Sequence, residues 1–236
     1  MNIQDIYTQY RLMPSLQLHQ RRVAGVAQII CQNINVKVDS ENVILACLLH
    51  DMGNIIKFKL DLFPEFLEPE GLDYWKKVKQ DYRKKYGDDE HVATMNISQE
   101  ILKGATPKSG VAPKNKRILE LVEAIGFSNA KLNYESSDFG RKIATYADMR
   151  VTPHGVASMK ERLADGRMRF NIRKPEQADG VFFEEMAGYL EKIEDQIVSH
   201  MTLKPEDITE KMVQKVIPEL SSGFVQFNPS VEDCVL

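Results

Sequence analysis

Cysteine is scarce in this chain. Three residues, Cys31, Cys47 and Cys234, occur in 236, and no two are spaced as Cys-x-x-Cys. Two of them sit in apolar helical settings, so the expectation is buried thiols in a reducing compartment rather than a disulfide framework. Long apolar runs are also missing: nothing approaches the roughly 20 residues that a membrane-spanning helix needs. The first residues, Met1-Asn2-Ile3-Gln4-Asp5-Ile6, lack the basic-then-apolar order of a secretory signal. A cytoplasmic location without membrane association is expected. Positive charge is not in excess, with 31 Lys and Arg against 34 Asp and Glu and a net charge of −3. That argues against a protein that coats bulk nucleic acid, while leaving room for a local basic patch.

Two further absences concern pattern. No segment alternates apolar and polar residues between regular turns as a sheet would, and no internal repeat is visible. The stretch Gly104-Ala105-Thr106-Pro107-Lys108-Ser109-Gly110 has the composition of a phosphate-binding loop but lacks the Gly-Lys-Ser/Thr ending. It reads as part of a plain loop from Gly104 to Pro113.

What is present is helical periodicity. Hydrophobic content of 43% and charged content of 28% are ordinary for a globular chain, and the length allows one good-sized core with an extension. Within Leu16–Ile30, His19, Val23, Val26 and Ile30 recur at helical spacing and form one stripe. Asp39 or Ser40 caps a helix through Leu49, stopped at Gly53; it is apolar nearly all round, which predicts a central position. A loop with Pro64, Pro69 and Gly71 leads to a charged helix over Leu72–Tyr86. Asp88 or Asp89 caps the next, about Glu90–Leu102. Further helices are expected at Lys116–Ile125, Asp138–Arg150, Val156–Met168 and Phe182–His200. Thr152-Pro153 reads as N-cap and first-turn proline for the third of these. From about Asn171 the chain turns polar, with a final short helix at Thr209–Leu220 and a non-periodic tail. The fold class is all-α, with a helical core over 1–170 and a helical extension over 171–236. The scattered methionines read as core filler.

Chemistry concentrates at His50-Asp51, which ends the run Val43-Ile44-Leu45-Ala46-Cys47-Leu48-Leu49. An imidazole and a carboxylate beside such a run are costly to bury without compensation. A divalent metal supplies it, since both groups are ligands of first-row ions. His19, on the apolar stripe of its helix, is either a hydrogen-bonded core residue or a ligand. Asp148 shares the buried face of Ile143, Ala144 and Ala147, as a salt-bridge partner or a ligand. Four such groups on inward faces of one bundle call for a cation.

In order and context these residues resemble the HD-domain superfamily of metal-dependent phosphohydrolases. The resemblance rests on Leu18-His19-Gln20-Arg21-Arg22-Val23-Ala24, Leu48-Leu49-His50-Asp51-Met52-Gly53-Asn54 and Tyr146-Ala147-Asp148-Met149-Arg150, and covers roughly residues 12 to 170. It implies a phosphodiesterase-like helical bundle, with His19, His50, Asp51 and Asp148 as metal ligands. Many relatives bind two ions through two further histidines. This chain offers His91 for one and has none around Ala124-Ile125-Gly126-Phe127-Ser128 for the other, so one ion is expected. Where many relatives have Lys after the glycine of the His-Asp motif, Asn54 stands here, followed by Lys57 and Lys59.

The implied activity is hydrolysis of a phosphate ester of a nucleotide or other small phosphorylated compound. The ion is a divalent transition metal (Mn, Fe, Co, Ni or Zn), suited to a mixed nitrogen and oxygen ligand set. Asp51, or Asp148, accepts the proton of the attacking water. His91 is a fifth ligand, a phosphate contact or a surface residue; the second reading is preferred, because a helix N-terminus favours an anion. Arg22, three residues after His19, contacts phosphate or forms a structural salt bridge, and Asn54, Lys57 and Arg150 are weaker candidates for phosphate. His154 is expected to be exposed, and His200, at a helix end, has no assigned role. The rival readings are a non-catalytic domain of this type that senses a ligand or holds a partner through its C-terminal helices, and a two-iron oxygenase, which the missing histidine disfavours. Self-association is compatible with either.

Overall fold

Asp39 starts the central helix: its side chain accepts the backbone N–H of Asn42. The helix that follows, α3 (Ser40–Leu49), is buried from Asn42 to Leu49. An all-round apolar helix has no face to give to water and must be enclosed on every side. α2 (Pro14–Asn33), α6 (Asn115–Ala124) and α8 (Phe139–Asp148) enclose it. α1 (Ile3–Gln9) is fastened to it by Tyr7, whose hydroxyl donates 2.8 Å to the Leu48 carbonyl. The computed structural model describes residues 2–103, 105–107, 115–173, 180–222 and 225–227; Cys234 lies outside them.

The fold class is all-α, as the periodicity predicts. α4 (Leu72–Tyr86) and α5 (Glu90–Lys103) fall where the sequence puts them. Asp89 rather than Asp88 caps α5, its Oδ1 accepting the N–H groups of His91 and Val92, each at 2.8 Å. A short α7 (Ala130–Glu135) precedes α8, whose N-cap is Asp138. Arg117 of α6 donates twice to that same carboxylate, at 2.6 and 2.8 Å, and so locks two walls of the bundle together.

Three expectations need correction. Thr152-Pro153 does not start a helix. It belongs to a two-stranded hairpin of β2 (Val151–Thr152) and β3 (Gly155–Val156), with Val151 paired to Val156 and Thr152 to Gly155. The helix begins later, as α9 (Met159–Arg173), where Ser158 and Glu161 exchange hydrogen bonds as a capping box. Second, part of the expected 104–113 loop is a strand, β1 (Ala105–Pro107). It runs antiparallel to β4 (Val225–Phe227), which lies within the expected non-periodic tail; Gly104 and residues 108–114 lie outside the described set. The third follows from these: short strands exist. At two or three residues each, they are too short to show an alternating pattern.

The C-terminal helices α10 (Val181–Val198) and α11 (Glu210–Ser222) are both present. α10 meets α8 through Tyr146, which donates 2.6 Å to Glu194, and through buried Lys142, which donates 2.5 Å to Gln196. α11 lies along α2. Among the described residues no helix is long and apolar enough to cross a membrane.

Candidate metal centre

Three helix segments bring four side chains together. His19 projects from α2, whose residues Val23, Val26 and Ile30 are wholly buried on the same stripe. His50 is the C-terminal cap of α3, with Asp51 next to it. Asp148 is the last residue of α8. Gly53 lets the chain turn here: a Cβ at this position would lie 2.4 Å from the Glu90 carbonyl oxygen and 2.7 Å from the Thr94 nitrogen. The glycine is required by the approach of α5, whose Thr94 Oγ1 accepts the Gly53 N–H at 2.9 Å, and not by its backbone angles, which any residue adopts.

His50 is 7% exposed and its ring is oriented by its own helix. Nδ1 donates to the Cys47 carbonyl at 2.7 Å, which leaves Nε2 facing the other three groups. Nε2 lies 3.5 Å from Asp148 Oδ1 and 3.7 Å from Asp51 Oδ2, yet it makes no hydrogen bond. His19 Nε2 is 3.1 Å from Asp148 Oδ1 and 3.7 Å from Asp51 Oδ2. The two imidazoles face each other at 5.4 Å between centroids.

These separations fit a shared cation. Two donors each about 2.1 Å from one ion, at roughly 90–110° to each other, stand about 3.0–3.4 Å apart. His19, His50 and Asp51 each place a donor atom within 4.8 Å of the other two, and Asp148 sits against both imidazoles. The electrostatics agree. Burial alone would lower the His50 pKa, but the Asp51 and Asp148 carboxylates outweigh it and push the imidazole up to about 9. Burial likewise opposes charge on Asp148, yet the His19 hydrogen bond and the neighbouring His50 ring hold it well below the usual carboxylate range. The cluster thus demands positive charge, from protons or from a metal ion.

A family model described as the HD domain matches residues 17–148, more than half of the chain. The chain belongs to the HD domain family. The match opens two residues before His19 and closes on Asp148, so the four clustered side chains span it from end to end. No curated protein matches the chain, and no solved structure does.

In this HD domain the remaining candidates have separate surroundings. Arg22, one turn along α2 from His19, pairs with Glu210 of α11 at 2.9 Å. Asn54 opens a short 3-10 turn just past the glycine, and Lys57 ends it, 3.4 Å from Glu90. His91 is exposed and bonds Glu123 of α6 at 2.8 Å. His154 is exposed at the hairpin turn, and His200 contacts Asn35 at 3.1 Å. Arg150 is 3% exposed; it donates to the carbonyls of Ala157, Pro205 and Ile208 and to the Tyr146 hydroxyl. Four of its five N–H groups are engaged inside the fold, which makes it a tie between the hairpin, α8 and the segment before α11.

Two supports escaped sequence reasoning. Gln20 is fully buried beside His19, and its Oε1 lies 3.4 Å from the Asp51 N–H that it accepts. The Cys47 carbonyl aims His50. A polar residue next to His19 on an apolar helix is a signal for the first, whereas a backbone oxygen leaves no trace in composition.

Proposed function

We propose that this HD domain hydrolyses a phosphate ester of a nucleotide or other small phosphorylated compound, with one divalent transition ion held by His19, His50, Asp51 and Asp148. The observation that carries the reading is His50 Nε2. It is a buried nitrogen with no hydrogen-bond partner, aimed between two carboxylates by a bond on the far side of its ring. Such an atom is costly unless its lone pair is taken up, by a proton held against the two carboxylates or by a metal ion. A bound ion supplies Lewis acidity toward a phosphoryl oxygen and lowers the pKa of a bound water.

The side chains provide the rest. Asp51 turns Oδ2 toward the imidazoles, and its other oxygen accepts the proton of the attacking water. The Gln20 side chain and the Thr94 hydroxyl hold the backbone on either side of Met52, so the Asp51 carboxylate keeps its place through the reaction. Arg22, with Asn54 and Lys57 on the segment leaving Asp51, steadies the phosphate oxygens. His91 is engaged by Glu123, and the preferred sequence reading of it as a phosphate contact gives way here to Arg22, Asn54 and Lys57.

The test is metal content by elemental analysis, paired with hydrolysis of an aryl phosphate and a nucleotide panel under Mn, Fe, Co, Ni and Zn. One ion per chain with turnover that depends on it is expected. No bound ion and no turnover with any of the five would overturn the reading in favour of a ligand-sensing or scaffold domain.

A further inference from the structure

The C-terminal helix reaches back to the helix that bears His19. Gly25 admits it: a Cβ there would stand 2.9 Å from Val213 Cγ1 and 3.3 Å from Val216 Cγ2 of α11. Three residues before Gly25 is Arg22, and three before that is His19, a spacing that makes Arg22 the helical neighbour of each. Glu210, in the first turn of α11, takes hold of Arg22. Its Oε1 accepts from Arg22 Nε and lies within 2.9 Å of Nη2. Gln214 donates to that same oxygen at 2.6 Å. The other oxygen, Oε2, accepts the backbone N–H of Val156 at 2.8 Å.

Gly155 is what lets the hairpin come this close. It has φ of +145°, and a Cβ would lie 3.1 Å from Glu210 Oε2 and 3.9 Å from Arg22 Nη2. One carboxylate therefore joins α2 beside His19, the hairpin that leaves Asp148, and α11. Both the hairpin and α11 lie beyond the residues that match the family. Most exposed Arg–Glu pairs contribute little, but this Arg22 side chain is only 13% exposed. Its Nη1 takes no part in the pair, so the guanidinium keeps a second edge for an oxyanion.

We propose that Glu210 is a positioning residue, holding Arg22 so that its Nη1 edge meets a phosphate oxygen of a substrate bound beside His19. The C-terminal helix then completes the anion-binding wall of the HD domain. This rests on the phosphohydrolase reading and names a part of that site from outside the matched region.

The test uses the full chain loaded with metal, an aryl phosphate as substrate and inorganic phosphate as competitor. Glu210→Ala raises KM and the phosphate inhibition constant about tenfold, with a smaller change in kcat, as expected for one lost charge-assisted contact. Glu210→Gln keeps an acceptor for Arg22 and shows a smaller rise, about threefold; it carries the comparison should the alanine variant fail to fold. In an Arg22→Ala background, Glu210→Ala adds nothing further to KM, because the two residues act as one unit. A second readout needs neither metal nor turnover: phenylglyoxal labels Arg22 several-fold faster in Glu210→Ala than in the wild type, read by mass spectrometry. If the wild type is active and the two losses multiply, or phosphate inhibition does not move, positioning is overturned and the phosphohydrolase reading stands. If the wild type neither turns over any ester nor binds inorganic phosphate, that reading falls and this proposal falls with it.

Discussion

His50 Nδ1 and the Cys47 carbonyl oxygen lie 2.7 Å apart, and this bond decides which ring nitrogen meets Asp51 and Asp148. The carbonyl belongs to the last turn of α3, where helix geometry leaves carbonyls without intrahelical partners. One hydrogen bond thus satisfies a helix end, fixes the tautomer and orients the ring. Metal-binding histidines in general owe their orientation and basicity to such a partner on the far nitrogen.

Loss of His50 removes the buried donor that faces the cluster. His50→Ala is expected to weaken metal binding by more than about 100-fold, beyond the range seen when only a supporting partner is lost. Titration calorimetry with Zn or Mn and elemental analysis after dialysis check this. Retention of one ion per chain at unchanged affinity would show that the cluster is not the metal site.

Gly53→Ala tests the packing that lets the chain turn after Asp51. The added methyl meets the Glu90 carbonyl, the Thr94 nitrogen and the Ala93 methyl, all under 3 Å, so backbone must move. A loss of about 3 kcal/mol of stability is expected, read as a lower denaturant midpoint. Metal affinity falls with it, because the displaced segment carries Asp51.

Asp138 makes stability depend on acid. Burial opposes its charge, but the Arg117 guanidinium and the Gly140 N–H outweigh it and hold the carboxyl below the usual range. With the folded pKa lowered, its contribution is complete above the ordinary carboxylate pKa and is lost as pH falls below it. Denaturant titrations from about pH 6 to pH 3 should show a shallower decline for Asp138→Asn than for the wild type. At neutral pH that variant should lose about 1 kcal/mol, since asparagine keeps the cap but not the ion pair.

Arg150 separates a structural from a substrate role. Arg150→Ala leaves the carbonyls of Ala157, Pro205 and Ile208 without their donor, and a destabilisation of about 3 kcal/mol is expected. Thermal unfolding measures it. A variant of unchanged stability with a raised KM for an aryl phosphate would return Arg150 to the substrate.

The bundle was largely legible because its helices carry strong local signals. α3 has an aspartate cap and an unbroken apolar run, and α4 and α5 are separated by Gly87-Asp88-Asp89. The hairpin at 151–156 was not, because Thr152-Pro153 satisfies helix-start rules equally well, while the capping pair Ser158 and Glu161 lies six residues further on. Arg22 had two open readings, phosphate contact or salt bridge. The structure supplies the salt bridge, from a glutamate 188 residues away, a distance over which no local pattern operates.

The sequence by itself determined the helices, the buried stripe and the order His19, His50-Asp51, Asp148, because periodicity, caps and apolar runs act over a few residues. It also determined the family, since those motifs lie within one matched span. Only the tertiary structure decided that the four side chains converge, with His19 Nε2 at 3.1 Å from Asp148 and His50 Nε2 left without a hydrogen bond. It likewise decided that Arg150 is a buried tie and that Glu210 grips Arg22. Convergence depends on how α2, α3 and α8 cross, and a crossing is set by packing among residues far apart in the chain.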